Sequence, residues 1–192
     1  MLIAFAGLQA TGKSTLAKKL QQELLAILLD KDIVRDCLFA EHVDYSAAQN
    51  DLCLNIIYQL SGYYLQKNPE SKIILDGRTY SKRYQIEALK QAANQFHTQF
   101  RIIECVCSEE STRKRLEHDQ NHLAKDRDFA LYQRIKAAAD PIIEPKLVID
   151  TDLLSLEESI AKIITYLKQT ANEKFENSGI ITKDTEINNG FW

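Results

Sequence analysis

Residues 7–15 read GLQATGKST, directly after the apolar run LIAFA at 2–6 and directly before an amphipathic stretch. The spacing from Gly7 to Ser14 fits GxxxxGK[ST], a pattern that works only at the junction of a strand and a helix. Gly7 and Gly12 open the backbone to conformations closed to residues with a Cβ, so that successive N–H groups can point inward at phosphate oxygens. The positive end of the following helix adds to that field. Leu8, Gln9, Ala10, Thr11 and Thr15 complete the cradle; Lys13 is expected on the β- and γ-phosphates of a nucleotide and Ser14 on Mg²⁺. Taken alone, the segment also fits a glycine-bearing turn with a solvated Lys13, and it does not choose between a kinase, a switch and a motor.

Outward from this turn, apolar runs of strand length at 2–6, 26–29, 72–75, 100–106 and 146–149 alternate with amphipathic stretches at 12–25, 47–67, 81–96, 109–119, 129–139 and 155–167. The alternation predicts βα units winding a parallel sheet with helices on both faces. Right-handed crossovers then bring the carboxyl ends of the strands to one edge, where open α/β sheets hold their ligands. No internal repeat and no Pro-, Gly- or Ser-rich linker divides the chain, so residues 1–170 read as one domain. Residues 171–192 are polar and nearly aperiodic and are expected to be a flexible tail, with Phe191 and Trp192 anchored on a surface groove as the alternative.

Composition narrows the classes. A chain of 192 residues is long enough for one α/β domain and short for two. Hydrophobic and charged shares of 45% and 27% argue against a disordered or fibrous chain. A net charge of -3 lacks the basic excess of a protein whose main activity is a large nucleic-acid interface. No apolar stretch approaches the roughly 20 residues of a spanning helix, so no membrane partner is expected. The start on an apolar strand, without the features of a secretory signal, points to the cytoplasm. Cys37, Cys53, Cys105 and Cys107 contain no CxxC pair and are expected to be buried, reduced thiols.

Phosphoryl transfer needs a base or hydrogen-bond acceptor near the incoming hydroxyl, and the end of the second strand adjoins the cradle in this topology. The sequence there is LLDKDIVRDCLF. If a helix begins at Asp32, Arg35 lies one turn along on the same face, so a carboxylate and a guanidinium share one pocket. Asp32 can then orient or deprotonate a hydroxyl, and Arg35 can clamp an anionic group. An N-capping Asp32 and a solvated Arg35 fit the same residues. The third strand runs into IILDGRTYSKRY, where Asp76 stands as a carboxylate for a magnesium-bound water and Arg78 is the acceptor-binding candidate; Lys82 and Arg83 also suit the charged first turn of a surface helix.

The pairing of GLQATGKST with LLDKDIVRDCLF resembles the adenylylsulfate kinase, gluconate kinase and polynucleotide kinase group of P-loop kinases, over about residues 1–170. In adenylylsulfate kinases the second segment reads DGDNVR; Lys31 and Ile33 replace its glycine and asparagine here. The resemblance implies an α/β, three-layer P-loop NTPase fold with a five-stranded parallel sheet in the order 2-3-1-4-5, helices on both faces and a helical lid at about 112–140. It implies Asp32 as acceptor base with Asp30 as runner-up, and ATP and Mg²⁺ as donor and metal. In the lid segment SEESTRKRLEHDQNHLAKDRDFALYQRI, Arg115 and Arg127 are expected on the transferring phosphoryl, with Arg113 behind them, although pairs such as Glu109 with Arg113 fit a solvated helix face equally. His118 and His122 lack a third metal ligand at suitable spacing. ADPIIEPKLVIDT resembles the end of the adenylylsulfate kinase domain, which implies Thr151 and Asp152 beside the base. The expected function is phosphorylation of a small-molecule hydroxyl. The alternatives are a nucleotide, polynucleotide or antibiotic kinase, and an NTP-driven switch, against whose GTP-dependent form the lack of an NKxD sequence counts.

Overall fold

The structure, a computed structural model, describes residues 1–118 and 127–169. Strands β1 (Leu2–Ala6), β2 (Ile27–Asp30), β3 (Ile73–Asp76), β4 (Phe100–Val106) and β5 (Lys146–Asp150) form one parallel sheet in the order β2-β3-β1-β4-β5. Seven helices are described with them: α1 (Lys13–Leu24), α2 (Lys31–Phe39), α3 (Ala47–Lys67), α4 (Arg83–Gln95), α5 (Glu109–His118), α6 (Phe129–Ala137) and α7 (Leu156–Lys168). The P-loop NTPase topology expected above is therefore the observed one, with β1 at the centre of the sheet.

Every residue of β1 is fully buried because helices cover both faces. Leu2, Ala4 and Ala6 point into a core filled by Leu54, Ile57 and Leu65 of α3 and Ile86 and Leu89 of α4. Ile3 and Phe5 point to the other side, against Leu16 and Leu20 of α1 and Ile160 and Ile163 of α7. Each such aliphatic side chain contributes about 1.5–3 kcal/mol on burial. Helix starts follow local side-chain chemistry. Ser46 accepts from the Gln49 N–H, Asp128 from Leu131, and Ser155 forms a reciprocal capping box with Glu158.

Three strand boundaries differ from expectation. The second and third strands run one residue further, through Asp30 and Asp76, because parallel pairing carries the register to Asp30 opposite Asp76. The fifth extends to Asp150 opposite Val106. The second correction concerns the thiols: Cys53 and Cys105 are buried, but Cys37 is exposed, since it falls on the outward side of α2. Among the described residues no helix is long and apolar enough to cross a membrane. The tail at 171–192 and the middle of the expected lid at 119–126 lie outside the described residues.

Candidate active site

The turn from β1 into α1 carries the tightest backbone of the site. Gly7 has φ 127° and Gly12 φ 88°, and between them Ala10 takes a left-handed φ of 58°. A Cβ on Gly7 would stand 2.2 Å from the Cys105 carbonyl oxygen, so β4 itself excludes any other residue there. The Gly7 N–H donates to the Thr79 carbonyl at 3.0 Å, and the Thr11 hydroxyl to the Leu8 carbonyl at 2.9 Å. Lys13 folds back so that its Nζ donates to the same Leu8 carbonyl. Burial pushes the Lys13 ammonium below its ordinary range, an effect opposed by the Asp76 carboxylate.

Asp76 ends β3 with 2% of its surface exposed, and neither carboxylate oxygen has a hydrogen-bond partner among the described residues. An orphaned buried carboxylate is costly, and its hard oxygens suit a divalent cation. Ser14 lines the cavity bordered by the β1–α1 turn, as does Gly77, the residue after Asp76. Among the described residues no group of three or more His, Cys, Asp or Glu side chains could hold a metal ion. Asp30, directly across the ladder from Asp76, has its carboxyl pushed up by burial and by the Asp76 charge. It caps α2, accepting from the Asp32 N–H at 2.8 Å, so the helix begins at Lys31 and not at Asp32. That frees the Asp32 side chain from capping.

Asp32 and Arg35, paired in the sequence reading, do meet in space. Arg35 Nη2 lies 2.9 Å and Lys31 Nζ 2.8 Å from Asp32 Oδ1. Two cations thus share that one buried carboxylate oxygen. Asn50 of α3 completes the group: its Oδ1 accepts from Lys31 Nζ and from Arg35 Nη1, each at 2.9 Å, while its Nδ2 donates to the Tyr45 carbonyl. The Arg35 guanidinium stacks 4.5 Å from the centre of the Tyr45 ring. Burial lowers the Lys31 ammonium, against the pull of Asp32. Arg78 is buried beyond β3, with Nη2 2.6 Å from Asp51 Oδ1 and 3.3 Å from the Tyr84 hydroxyl. Lys31, Tyr45, Asn50, Asp51 and Tyr84 were not singled out from the sequence. Lys31 was visible only as a departure from DGDNVR, and nothing in the periodicity of α3 marks Asn50 or Asp51.

The residues after β4 divide. Arg115 donates from Nη1 to the Ala10 carbonyl at 3.2 Å and Thr151 Oγ1 at 2.9 Å, and from Nη2 to the Thr151 carbonyl and Asp152 Oδ1, each at 3.2 Å. It thus ties the phosphate cradle to the loop after β5. Thr151 itself packs its methyl group toward Gly12, with its hydroxyl 3.2 Å from the Thr11 carbonyl. Arg127 lines the same cavity from the far side of the lid segment. Arg113 is elsewhere, stacked 3.8 Å from the Phe129 ring centre, and Glu109 pairs with Lys136 at 2.6 Å instead of with Arg113. Lys82 and Arg83 engage Ala138 and Asp140 around the start of α4, away from the phosphate cradle. His118 is exposed at the cavity mouth, and His122 lies outside the described residues.

One cavity of about 830 Å³ unites these groups: it is lined by residues 9–16, by Lys31, Asp32, Arg35 and Arg78, and by Arg115, Arg127 and Thr151. Residues 2–142 match the family model described as AAA domain. Among solved structures, a gluconokinase from Sinorhizobium meliloti 1021 is 14% identical over 91% of this chain and 96% of its own, with a TM-score of 0.64. The Mycobacterium tuberculosis APS kinase, solved with AMPPNP and APS, is 19% identical over 88% and 97%, with a TM-score of 0.63. A sugar kinase from Janibacter sp. HTCC2649 is 15% identical over 86% and 93%, with a TM-score of 0.65. At these identities the likeness is one of fold. Among curated proteins, none matches the chain.

Proposed function

We propose that this chain, which belongs to the AAA domain family, is a phosphotransferase that moves the γ-phosphoryl group of ATP to a hydroxyl of a small molecule. The observation that carries this reading is the single cavity in which a phosphate cradle faces a buried carboxylate flanked by cations. The structural likeness to kinases of small molecules supports it.

In this reading the backbone from Gly7 to Thr15 holds the nucleotide phosphates, and Lys13 exchanges its bond to Leu8 for one to the β- and γ-phosphates. Ser14 and Asp76 would hold Mg²⁺, whose charge when bound screens the phosphates. Asp32 receives the acceptor hydroxyl. The acceptor oxygen bonds to the γ-phosphorus as the bond from that phosphorus to the β–γ bridging oxygen breaks; ADP departs with the electron pair, and the hydroxyl proton passes to Asp32. Arg127 is assigned to the charge that develops on the transferring group. Arg115, bound to Ala10 and Thr151, keeps the cradle and the base-side loop in register.

Incubation with ATP, Mg²⁺ and a panel of metabolites and nucleotides, read by mass spectrometry, tests the proposal. An acceptor-dependent phosphorylated product is expected, and Lys13→Ala should abolish its formation with every acceptor. A fully active Lys13→Ala chain overturns the reading.

A further inference from the structure

Helix α2 carries the acceptor-side charges with little apolar packing of its own. Its buried residues are Lys31, Asp32 and Arg35, all charged, and Val34 is the one α2 side chain packed, partly buried, against an apolar core. Ile33 and Leu38 of the same helix are half exposed. The apolar face that fixes the place of most helices is therefore narrow here, and polar contacts have to supply what packing does not.

Those contacts come from α3, which is anchored in the core by Leu54, Ile57 and Leu65. Its start is bonded on several sides: the Gln49 N–H donates to Ser46 Oγ, the Gln49 amide spans the Asp44 N–H and the His42 carbonyl, and the Asn50 N–H donates to the Ser46 carbonyl. From this turn the Asn50 side chain reaches α2. Its Oδ1 accepts from Lys31 Nζ and Arg35 Nη1, each at 2.9 Å, which uses both lone pairs. Its Nδ2 donates to the Tyr45 carbonyl at 3.1 Å. The amide fits in one orientation, because reversal would turn an NH₂ group toward two cations and an oxygen toward a carbonyl oxygen. Lys31 Nζ and Arg35 Nη2 in turn contact Asp32 Oδ1, so two cationic bridges join Asn50 to Asp32. Tyr45, whose ring covers the Arg35 guanidinium, takes a left-handed φ of 56°, a strained conformation that the Asn50 bond to its carbonyl helps to hold.

Resting on the phosphotransferase reading, we infer that Asn50 is a positioning residue for phosphoryl transfer: it fixes Lys31 and Arg35, and through them the Asp32 carboxylate, opposite the phosphate cradle. Its oxygen is neutral, so it holds both cations without adding a second carboxylate to compete with Asp32 for them. It lies on the acceptor side of the cavity and has no bond to the cradle among the described contacts.

The test uses the full chain with ATP and Mg²⁺, read by ADP release. The acceptor is the member of the metabolite panel that yields product, or water where none does. Circular dichroism establishes that each variant is folded. Asn50→Leu, which keeps the volume and removes the bonds, should lower kcat at least about tenfold and leave KM for ATP within about twofold, since a misplacement of about 1 Å costs on the order of 100-fold. Asn50→Ala should act in the same direction. In a Lys31→Met chain the further loss from Asn50→Leu should be smaller than in the parent, because part of its effect runs through Lys31. Losses that multiply overturn the inference. So does a folded Asn50→Leu or Asn50→Ala chain with kcat within about threefold of the parent's, or one whose KM for ATP rises as much as kcat falls. Failure of both Asn50 variants to fold assigns the residue to stability and overturns it as well. All these outcomes leave the phosphotransferase reading intact. A parent chain that releases no ADP with any acceptor of the panel or with water ends that reading, and this inference with it.

Discussion

Replacing Gly7 with alanine should damage the chain more than the same change at Gly12, although both glycines belong to one motif. A Cβ at Gly7 would lie 2.2 Å from the Cys105 carbonyl oxygen and 3.1 Å from Thr11 Oγ1. A carbon and a carbonyl oxygen approach no closer than about 3.3 Å, so relief requires a shift of roughly 1 Å. Neither side yields easily. Cys105 sits in β4, in register with Ile149 of β5, and the Gly7 N–H is held by Thr79. The φ of 127° adds a backbone strain of about 1–3 kcal/mol for a residue with a side chain, and the overlap a further 1–3 kcal/mol or so. The sum, about 2–6 kcal/mol, is a large share of the roughly 5–15 kcal/mol that stabilises an ordinary domain. At Gly12 the nearest atom is the Thr151 methyl at 3.2 Å, a side chain that can turn, leaving mainly the strain of φ 88°. Urea unfolding followed by circular dichroism measures both. Gly7→Ala should lose at least about 2 kcal/mol and more than Gly12→Ala. A loss under about 0.5 kcal/mol, or the reverse order, refutes the reasoning.

Other outcomes follow from the same contacts. Asp32→Asn should lower kcat about 100- to 10,000-fold while ATP affinity by calorimetry stays near the parent's; unchanged turnover removes Asp32 from the acceptor-base role. Arg115→Ala severs the ties to Ala10, Thr151 and Asp152 and should raise KM for ATP roughly tenfold with a smaller effect on the acceptor, so an equal rise for both would count against a donor-side role. Burial raises the Cys105 thiol from 9.0 to about 12. Between those values the unfolded chain loses a proton that the folded chain keeps. The thiol's contribution to stability is therefore complete below pH 9 and falls by about 1.4 kcal/mol per pH unit above it. Relative to Cys105→Ala, the parent should lose stability from pH 9 upward, and a flat difference would contradict the burial.

The sheet and the phosphate cradle were legible because each rests on neighbours in sequence. An apolar run followed by GxxxxGK[ST] reads as a strand, a turn and a helix start, so β1 appeared with its observed bounds, as did the apolar run of β4. Strand ends at Asp30 and Asp76 were missed by one residue because pairing register, and not apolarity, carries the ladder through them. The acceptor half was only partly visible. Asp32 and Arg35 lie one helical turn apart and could be paired on paper, yet Asn50, the shared partner of Arg35 and Lys31, comes from α3, as does Asp51, the partner of Arg78. Nothing local distinguishes those two polar residues from others on a surface helix. The contacts of Arg115 to Ala10 and Thr151 were beyond the reach of local reading in the same way, since they span 105 and 36 residues. By itself the sequence determined the strand order's building blocks, the cradle and the carboxylates at the strand ends, because hydrophobic period and backbone freedom act over a few residues. Only the tertiary structure decided which charges meet and how deeply they are buried, because those are properties of helices packed across the sheet edge.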